Sequence, residues 1–352
     1  MNVQCDILVV GGGPAGTAAA RAAARRNARV LLVERRTVIG TPVQCAEYIP
    51  AMLMGKLELG RRYVAQSIKG MKTYRNDGSE TYTPAPGYII HRELFDQTLA
   101  RAAEDAGVHI MTATRAVERW SSGAVILKQK NGRYIKIKPW IIIGADGPRS
   151  TVGRWVGAVN NHLLPGVQVT MELARPMQHT EVYFHPDIYA GYGWLFPKGQ
   201  LANVGLGLKR NGRSAERIRS TLNAFARQLK THGKIKGDPV AYAAGWIPAE
   251  PVRKAVYHRI ALVGDAAGHT HPITGAGIFA AVVGGRMAGK WAGRAVKEKD
   301  AALLARYDDE WRDLMGDTHH RAYQRRIHME HQWSDFSATV QRCWVAYREY
   351  YG

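Results

Sequence analysis

The sequence predicts an α/β fold in two parts, one on a parallel sheet with crossover helices and one on an antiparallel sheet, followed by a C-terminal helical region. Three observations predict it. A strand, a glycine-rich turn, a helix and a second strand succeed one another between residues 6 and 34. Two more apolar strands, at residues 140–143 and 260–263, return to the same sheet and run into Gly144 and Gly264. Between them, residues 160–251 read mostly as longer strands around one helix, the pattern of an antiparallel sheet covered on one side. With 352 residues the chain also exceeds what a single core usually holds.

In order, residues 6–10 form the first apolar strand, an alanine-rich helix runs to about Asn27, and Val30–Val33 is a second strand ending at Glu34. Residues 42–87 read as irregular, with Gly and Pro as breakers. A helix is expected over 93–106, then strands at 114–119, 124–129 and 134–138, with Asn131-Gly132 as a hairpin turn. A Gly/Ala-rich helix follows over about 277–290. Residues 301–350 look helical and rich in Trp, Tyr, Arg and His, suited to capping a tunnel or forming an oligomer. The expected division is 1–45 with 88–158 and 252–298, 46–87 with 159–251, and 299–352.

Composition narrows the class. Three cysteines, Cys5, Cys45 and Cys343, are too few and too scattered for a secreted disulfide framework, so a reducing cytoplasm is expected. No signal peptide and no apolar run near the ~20 residues that span a bilayer is read, so the chain is not expected to be integral to a membrane. Net charge is +20, which favours polyanionic surfaces unless it is dispersed for solubility. Residues 198–236 hold ten Lys or Arg and one acid, Glu216, and include a helical pattern with Ile218, Leu222, Phe225 and Leu229 on one face. Such a helix lies on a membrane surface or, more commonly, covers its own sheet. No aromatic-basic recognition module is visible, so no nucleic acid is expected as a partner.

The glycines carry the first chemical signal. In Gly11-Gly12-Gly13-Pro14-Ala15-Gly16 the spacing of Gly11, Gly13 and Gly16 gives a tight turn, a backbone that can approach a pyrophosphate, and close helix–strand packing. The helix dipole and N–H groups then favour the phosphates, and Glu34 can accept hydrogen bonds from ribose hydroxyls. FAD and NAD both fit this unit. After Asp265 a loop leads to Gly275-Ala276-Gly277, which opens a helix at Ile278 and can set N–H groups against an anionic reduced flavin. The plainer reading makes Asp265 a helix cap and these glycines packing residues. No second complete glycine fingerprint is present, which argues against a separate nicotinamide domain.

Over about residues 5–295 the sequence resembles the flavoprotein superfamily that includes aromatic hydroxylases, and within it the geranylgeranyl reductases. The resemblance rests on three spaced segments: the opening turn, Gly144-Ala145-Asp146-Gly147, and Ala261-Leu262-Val263-Gly264-Asp265-Ala266-Ala267. Two more point to the reductases: Pro42-Val43-Gln44-Cys45-Ala46-Glu47, similar to the family's P-x-x-C-G-E with alanine for its glycine, and Tyr192-Gly193-Trp194-Leu195-Phe196-Pro197 followed by Gly205-Leu206-Gly207. It implies a Rossmann-type FAD-binding domain, a second antiparallel-sheet substrate domain, and a flavin ring where the two meet. It further implies cofactor contacts from Gly11, Gly13, Pro14, Ala15, Gly16, Glu34, Arg35, Cys45, Ala46, Arg92, Asp146, Gly264, Asp265, Gly275, Ala276, Gly277 and Ile278. Tyr192, Trp194, Phe196, Pro197, Gly205 and Gly207 would form an apolar wall for substrate.

The implied reaction is reduction of carbon–carbon double bonds in an isoprenoid by hydride from reduced flavin plus a proton, with NADPH, ferredoxin or another reduced carrier as electron donor. Cys45 is then the candidate catalytic group, although a lone cysteine is more often a small buried hydrophobe. An anionic membrane surface is a further candidate partner. Two rivals stay open: a monooxygenase or halogenase on the same fold, told apart by oxygen insertion against saturated product, and a noncatalytic flavin or lipid binder. His319, His320, His328 and His331 lack the companions of a tetrahedral metal site and read as part of a solvated basic helix; no metal is expected.

Overall fold

In the computed structural model, which describes residues 4–57 and 59–352, four short apolar runs lie side by side as the parallel centre of a sheet. Ile7–Val10 sits between Val30–Val33 and Ile141–Gly144, with Ile7 opposite both Val30 and Ile141, and Ile260–Leu262 extends the sheet beyond Ile141–Gly144. Every residue of these strands is buried, as strands covered on both faces must be. His109–Met111 adds a parallel edge and Val256–Tyr257 an antiparallel one.

Two covering helices, Pro14–Ala24 and Ile278–Glu298, explain the Gly/Ala-rich composition. A Cβ on Gly285 would stand 2.2 Å from the Ala15 carbonyl oxygen, and one on Gly289 2.0 Å from that of Ala19. Only side chains this small let the backbones approach so closely. The three expected strands form their own antiparallel sheet, Thr114–Arg119, Val125–Gln129 and Tyr134–Ile137.

Among the described residues the chain divides into two units, each drawn from three stretches. The first takes residues up to Thr41, Glu93–His162 and Pro248–Arg321; the second takes Pro42–Arg92, Leu163–Ile247 and Ala322–Gly352.

The second unit holds an eight-stranded sheet. Here residues 42–87 correct the sequence reading: they contain the strands Tyr48–Pro50, Val64–Tyr74 and Glu80–Ile90 and the short helix Ala51–Leu57. Pro84 and Pro86 look like breakers, yet among the described residues they sit where Glu80–Ile90 has no neighbour on its outer side, because Tyr48–Pro50 pairs only with residues 87–89. A proline's missing N–H is harmless at such an edge. Most pairings are antiparallel, but His179–Tyr183 runs parallel to residues 70–74.

The basic helix is Ala215–Thr231, capped by the Ser214 side chain, which accepts from the Arg217 N–H. Ile218, Leu222, Phe225 and Leu229 are buried with Val169, Leu195, Val204 and Leu206 of the sheet. The apolar stripe therefore covers its own unit and is not available to enter a membrane, whereas Arg217, Arg219, Arg227 and Lys230 stay exposed. No described helix is long and apolar enough to cross a membrane.

The C-terminal helix Arg306–His331 is solvated on one face, where His320 and His331 are exposed, but not on the other. His319, Arg326, Met329 and Glu330 are all buried, because long polar side chains on one face find partners inside the fold. Beyond it, Trp344 is buried and donates from Nε1 to Thr73 Oγ1 at 2.9 Å, within the second unit.

Candidate functional site

In the first unit the opening turn is dictated by backbone contact. Gly11 has φ +109°, a conformation costly to side-chained residues, and a Cβ on Gly16 would stand 1.9 Å from the Gly11 carbonyl oxygen. At Gly13 a Cβ would meet nothing within 4 Å. The turn is thus closed on its inner side by Gly16 and open at Gly13, where the helix begins with Pro14 and no side-chain cap. Glu34 ties the turn to the second strand: Oε2 accepts from the Gly12 N–H at 2.7 Å and Oε1 from the Arg36 N–H at 2.8 Å. Arg35 points into solvent.

Asp146 lies at the end of its strand and works locally. Its carboxylate accepts from Ser150 Oγ and the Thr151 N–H, both at 2.5 Å, and from the Val152 N–H at 3.2 Å. It thereby braces Ser150, whose hydroxyl caps the short helix Thr151–Trp155 by accepting from the Gly153 N–H, and burial holds the Asp146 pKa above the usual carboxylate value despite these bonds.

The third segment forms a tight 3-10 turn, Gly264–Ala267, with Gly264 and Gly268 both at positive φ. Thr270 Oγ1 donates to Asp265 Oδ1 at 2.7 Å, and that carboxylate lies against Gly277, where a Cβ would be 3.3 Å away. Gly277 precedes the first turn of Ile278–Glu298 with no side-chain cap, so a carboxylate stands beside the positive end of a long helix. Gly275 takes positive φ in the loop before it, and Ala276 is exposed. Arg253, which the sequence reading passed over, clamps the segment: its guanidinium donates to Ala266 O at 3.1 Å, Ala267 O at 3.3 Å and Asn160 Oδ1 at 2.7 Å.

His269 follows that turn directly. It is buried, stacks on Trp311 with centroids 3.7 Å apart and planes 10° apart, and among the described residues neither ring nitrogen has a hydrogen-bond partner. Burial first, then the positive fields of His319, Arg253 and Arg312, hold its pKa well below 6.5. The unfolded chain therefore binds a proton that the folded one refuses, and stability falls as pH drops below about 6.5. Relative to the native chain, His269→Phe should gain up to about 2 kcal/mol at about pH 5 compared with about pH 7.5, read from urea midpoints. An equal difference at both values would remove His269 from this role.

In the second unit, strand alternation sorts the aromatic segment Tyr192–Lys198. Gly193 and Leu195 face the basic helix; a Cβ on Gly193 would press to 2.9 Å on the Phe225 ring. Tyr192, Trp194, Phe196 and Lys198 take the opposite face. Across the pairing, a Cβ on Gly205 would stand 2.4 Å from the Trp194 ring, so this glycine makes room for the indole. Trp194 Nε1 donates to Gln168 Oε1 at 3.1 Å, and Gln168 Nε2 donates to the Cys45 carbonyl at 3.3 Å. Tyr192 packs against Phe184 and Trp344, and Phe196 meets Tyr48 edge-on. Pro197 is buried and Gly207 pairs with Tyr192.

Cys45 is half-buried beside this face, and the Glu47 N–H donates to its sulfur at 3.2 Å. Ala46 needs no glycine: its φ is not positive, and the left-handed position falls on Glu47 at +73°. Glu47 is buried, and Lys198 Nζ, Asn203 Nδ2 and the Arg92 N–H bond its carboxylate at 2.7, 2.8 and 2.9 Å. Glu47 was read only as part of a motif, and Lys198, Asn203 and Gln168 were not singled out. A lone amide in an otherwise apolar strand, Asn203 in Leu201–Gly207, was the available signal.

The family model that matches is the FAD binding domain, over residues 4–322. Among curated relatives, the digeranylgeranylglycerophospholipid reductase of Methanothrix thermoacetophila is 34% identical over 335 residues, covering 89% of this chain and 84% of the relative. That of Methanosarcina mazei is 32% identical, covering 90% and 82%. A geranylgeranyl bacteriochlorophyll reductase-like structure from Thermoplasma acidophilum superposes with a TM-score of 0.88 at 26% identity, covering 99% of this chain and 92% of that one. A flavin-dependent brominase reaches 0.74 at 15% identity over 95% of this chain and 90% of its own, a likeness of fold alone.

Proposed function

Because the chain belongs to the geranylgeranyl reductase family of FAD-dependent oxidoreductases, we propose that it saturates carbon–carbon double bonds in an isoprenoid lipid. The observation that carries this reading is the sheet face of the second unit, where Tyr192, Trp194 and Phe196 alternate along one strand and the Cys45 loop lies against them. A long, flat apolar chain suits such a strip, with few polar groups to satisfy. The relatives named digeranylgeranylglycerophospholipid reductases support the lipid class.

The first unit fits FAD. Its opening turn is open at Gly13, where phosphates need access, and Glu34 is fixed at the end of the second strand, where a ribose would lie. We assign the pyrophosphate to Gly11, Gly13, Pro14, Ala15 and Gly16, and the ribityl side to Asp265 and the N–H groups from Gly275 to Ile278. Reduced FAD supplies the hydride when bound. The chain's own residues orient the lipid, keep water from it, and present the half-buried Cys45 thiol as a proton source.

Dithionite-reduced holoprotein, incubated anaerobically with digeranylgeranylglyceryl phospholipid, should yield lipid heavier by one H2 per double bond reduced. Lipid offered in anionic vesicles should be reduced faster than in zwitterionic ones, with the advantage falling as salt rises, since the exposed arginines of the basic helix act through a screened field. Absence of any saturated prenyl product would end the reading, and oxygen-containing product in air would favour the monooxygenase chemistry instead.

A further inference from the structure

We propose that Glu47, held by Lys198 and Asn203, is a positioning residue that fixes the Cys45 thiol. Calling the thiol a proton source rests on the reductase reading; the geometry does not. Glu47 is a side-chained residue at φ +73° and is 2% exposed, two unfavourable conditions that persist only where the surroundings over-determine them. Those surroundings are a full set of donors. Oε1 receives the Arg92 N–H at 2.9 Å, and Oε2 receives Lys198 Nζ at 2.7 Å and Asn203 Nδ2 at 2.8 Å.

The consequence falls on the residues just before it. With Glu47 in the left-handed region, its N–H points back at Cys45 Sγ, 3.2 Å away. Asn203 Nδ2 also holds the Ala46 carbonyl at 3.3 Å, and Gln168 Nε2 holds that of Cys45 at the same distance. Three consecutive residues are thus pinned by side chains from three strands, and the one thiol among them receives an N–H. Such a donor fixes the sulfur's direction. Glu47, Lys198 and Arg92 are the charged groups that these contacts bring to the loop.

The test is the rate of iodoacetamide alkylation of Cys45 against pH, in the holoprotein. Cys5 and Cys343 are buried and their thiols are pushed up to about 11, so they stay silent at neutral pH, and Cys45→Ser confirms the assignment. Glu47→Gln and Lys198→Met should each slow alkylation near neutrality about tenfold, as expected for losing one bond to a charged group. The double variant should be no worse than the worse single. A native profile in both single variants overturns the proposal. If either loses its flavin spectrum or its circular dichroism, Asn203→Ala decides, because it keeps the ion pair: a slowed alkylation supports the anchor and an unchanged one overturns it. Alkylation needs no lipid, so a native protein that reduces no lipid would defeat the reductase reading and leave this result standing.

Discussion

Gly16→Ala should give a protein that purifies without flavin colour. The added methyl would meet the Gly11 carbonyl oxygen at 1.9 Å, and a backbone oxygen in a turn fixed by Gly11 at φ +109° has nowhere to go. Either the helix Pro14–Ala24 withdraws or the turn opens, and both displace the N–H groups assigned to the pyrophosphate. Overpacking of this kind costs about 3 kcal/mol, which is about a hundredfold in affinity if it falls on the bound state. Flavin titration by fluorescence quenching reads the loss. Gly13→Ala is the contrast, since its Cβ would meet no protein atom within 4 Å. It should fold normally and lose flavin only through contact with the phosphates. Native affinity in Gly16→Ala would show that the turn does not hold the cofactor.

Arg326→Met should destabilise the second unit by about 3–5 kcal/mol, the range seen when one member of a buried charge pair is removed. Arg326 is 2% exposed; its guanidinium donates to the Ala190 carbonyl and lies in the field of Glu330, and burial lowers its pKa. Glu330 is buried too and keeps Lys209 as a partner, so the substitution leaves a carboxylate with less compensation and a carbonyl with no guanidinium. Ala190 itself sits at positive φ two residues before Tyr192, so the loss also loosens the entry to the aromatic strand. Urea unfolding followed by tryptophan fluorescence measures the cost. Adding Glu330→Leu should recover part of it, because a well-packed apolar pair replaces the charges. A loss below about 1 kcal/mol would mean that the Arg326 charge is dispensable.

The first unit was legible because its constraints are local. Glycines at 11, 13 and 16 and a short apolar run on either side specify the turn without reference to anything distant, and the strand, turn, helix and second strand form where read. The second unit was legible only in outline. Lys198 stands 151 residues from Glu47, and Asn203 stands 156 away, so no window of sequence brings the anchor together. Pro84 and Pro86 misled for a related reason: whether proline breaks a strand depends on whether a neighbour lies on its outer side, which is a tertiary fact. The basic helix gave its periodicity plainly, but only packing shows that its apolar stripe is already covered.

The interleaving of the two units carries a consequence for how the chain is made. Trp344 packs against Phe184 and Tyr192, and Trp333 donates to the Pro186 carbonyl, so the last thirty or so residues cover a sheet whose first strands were synthesised near residue 48. A ribosome releases those strands long before their cover exists, leaving an aromatic surface bare for most of translation. Maturation should therefore be slow, dominated by distant contacts and sensitive to chaperone supply, and a premature stop shortly after Arg321 should give insoluble material even though every cofactor segment has been made.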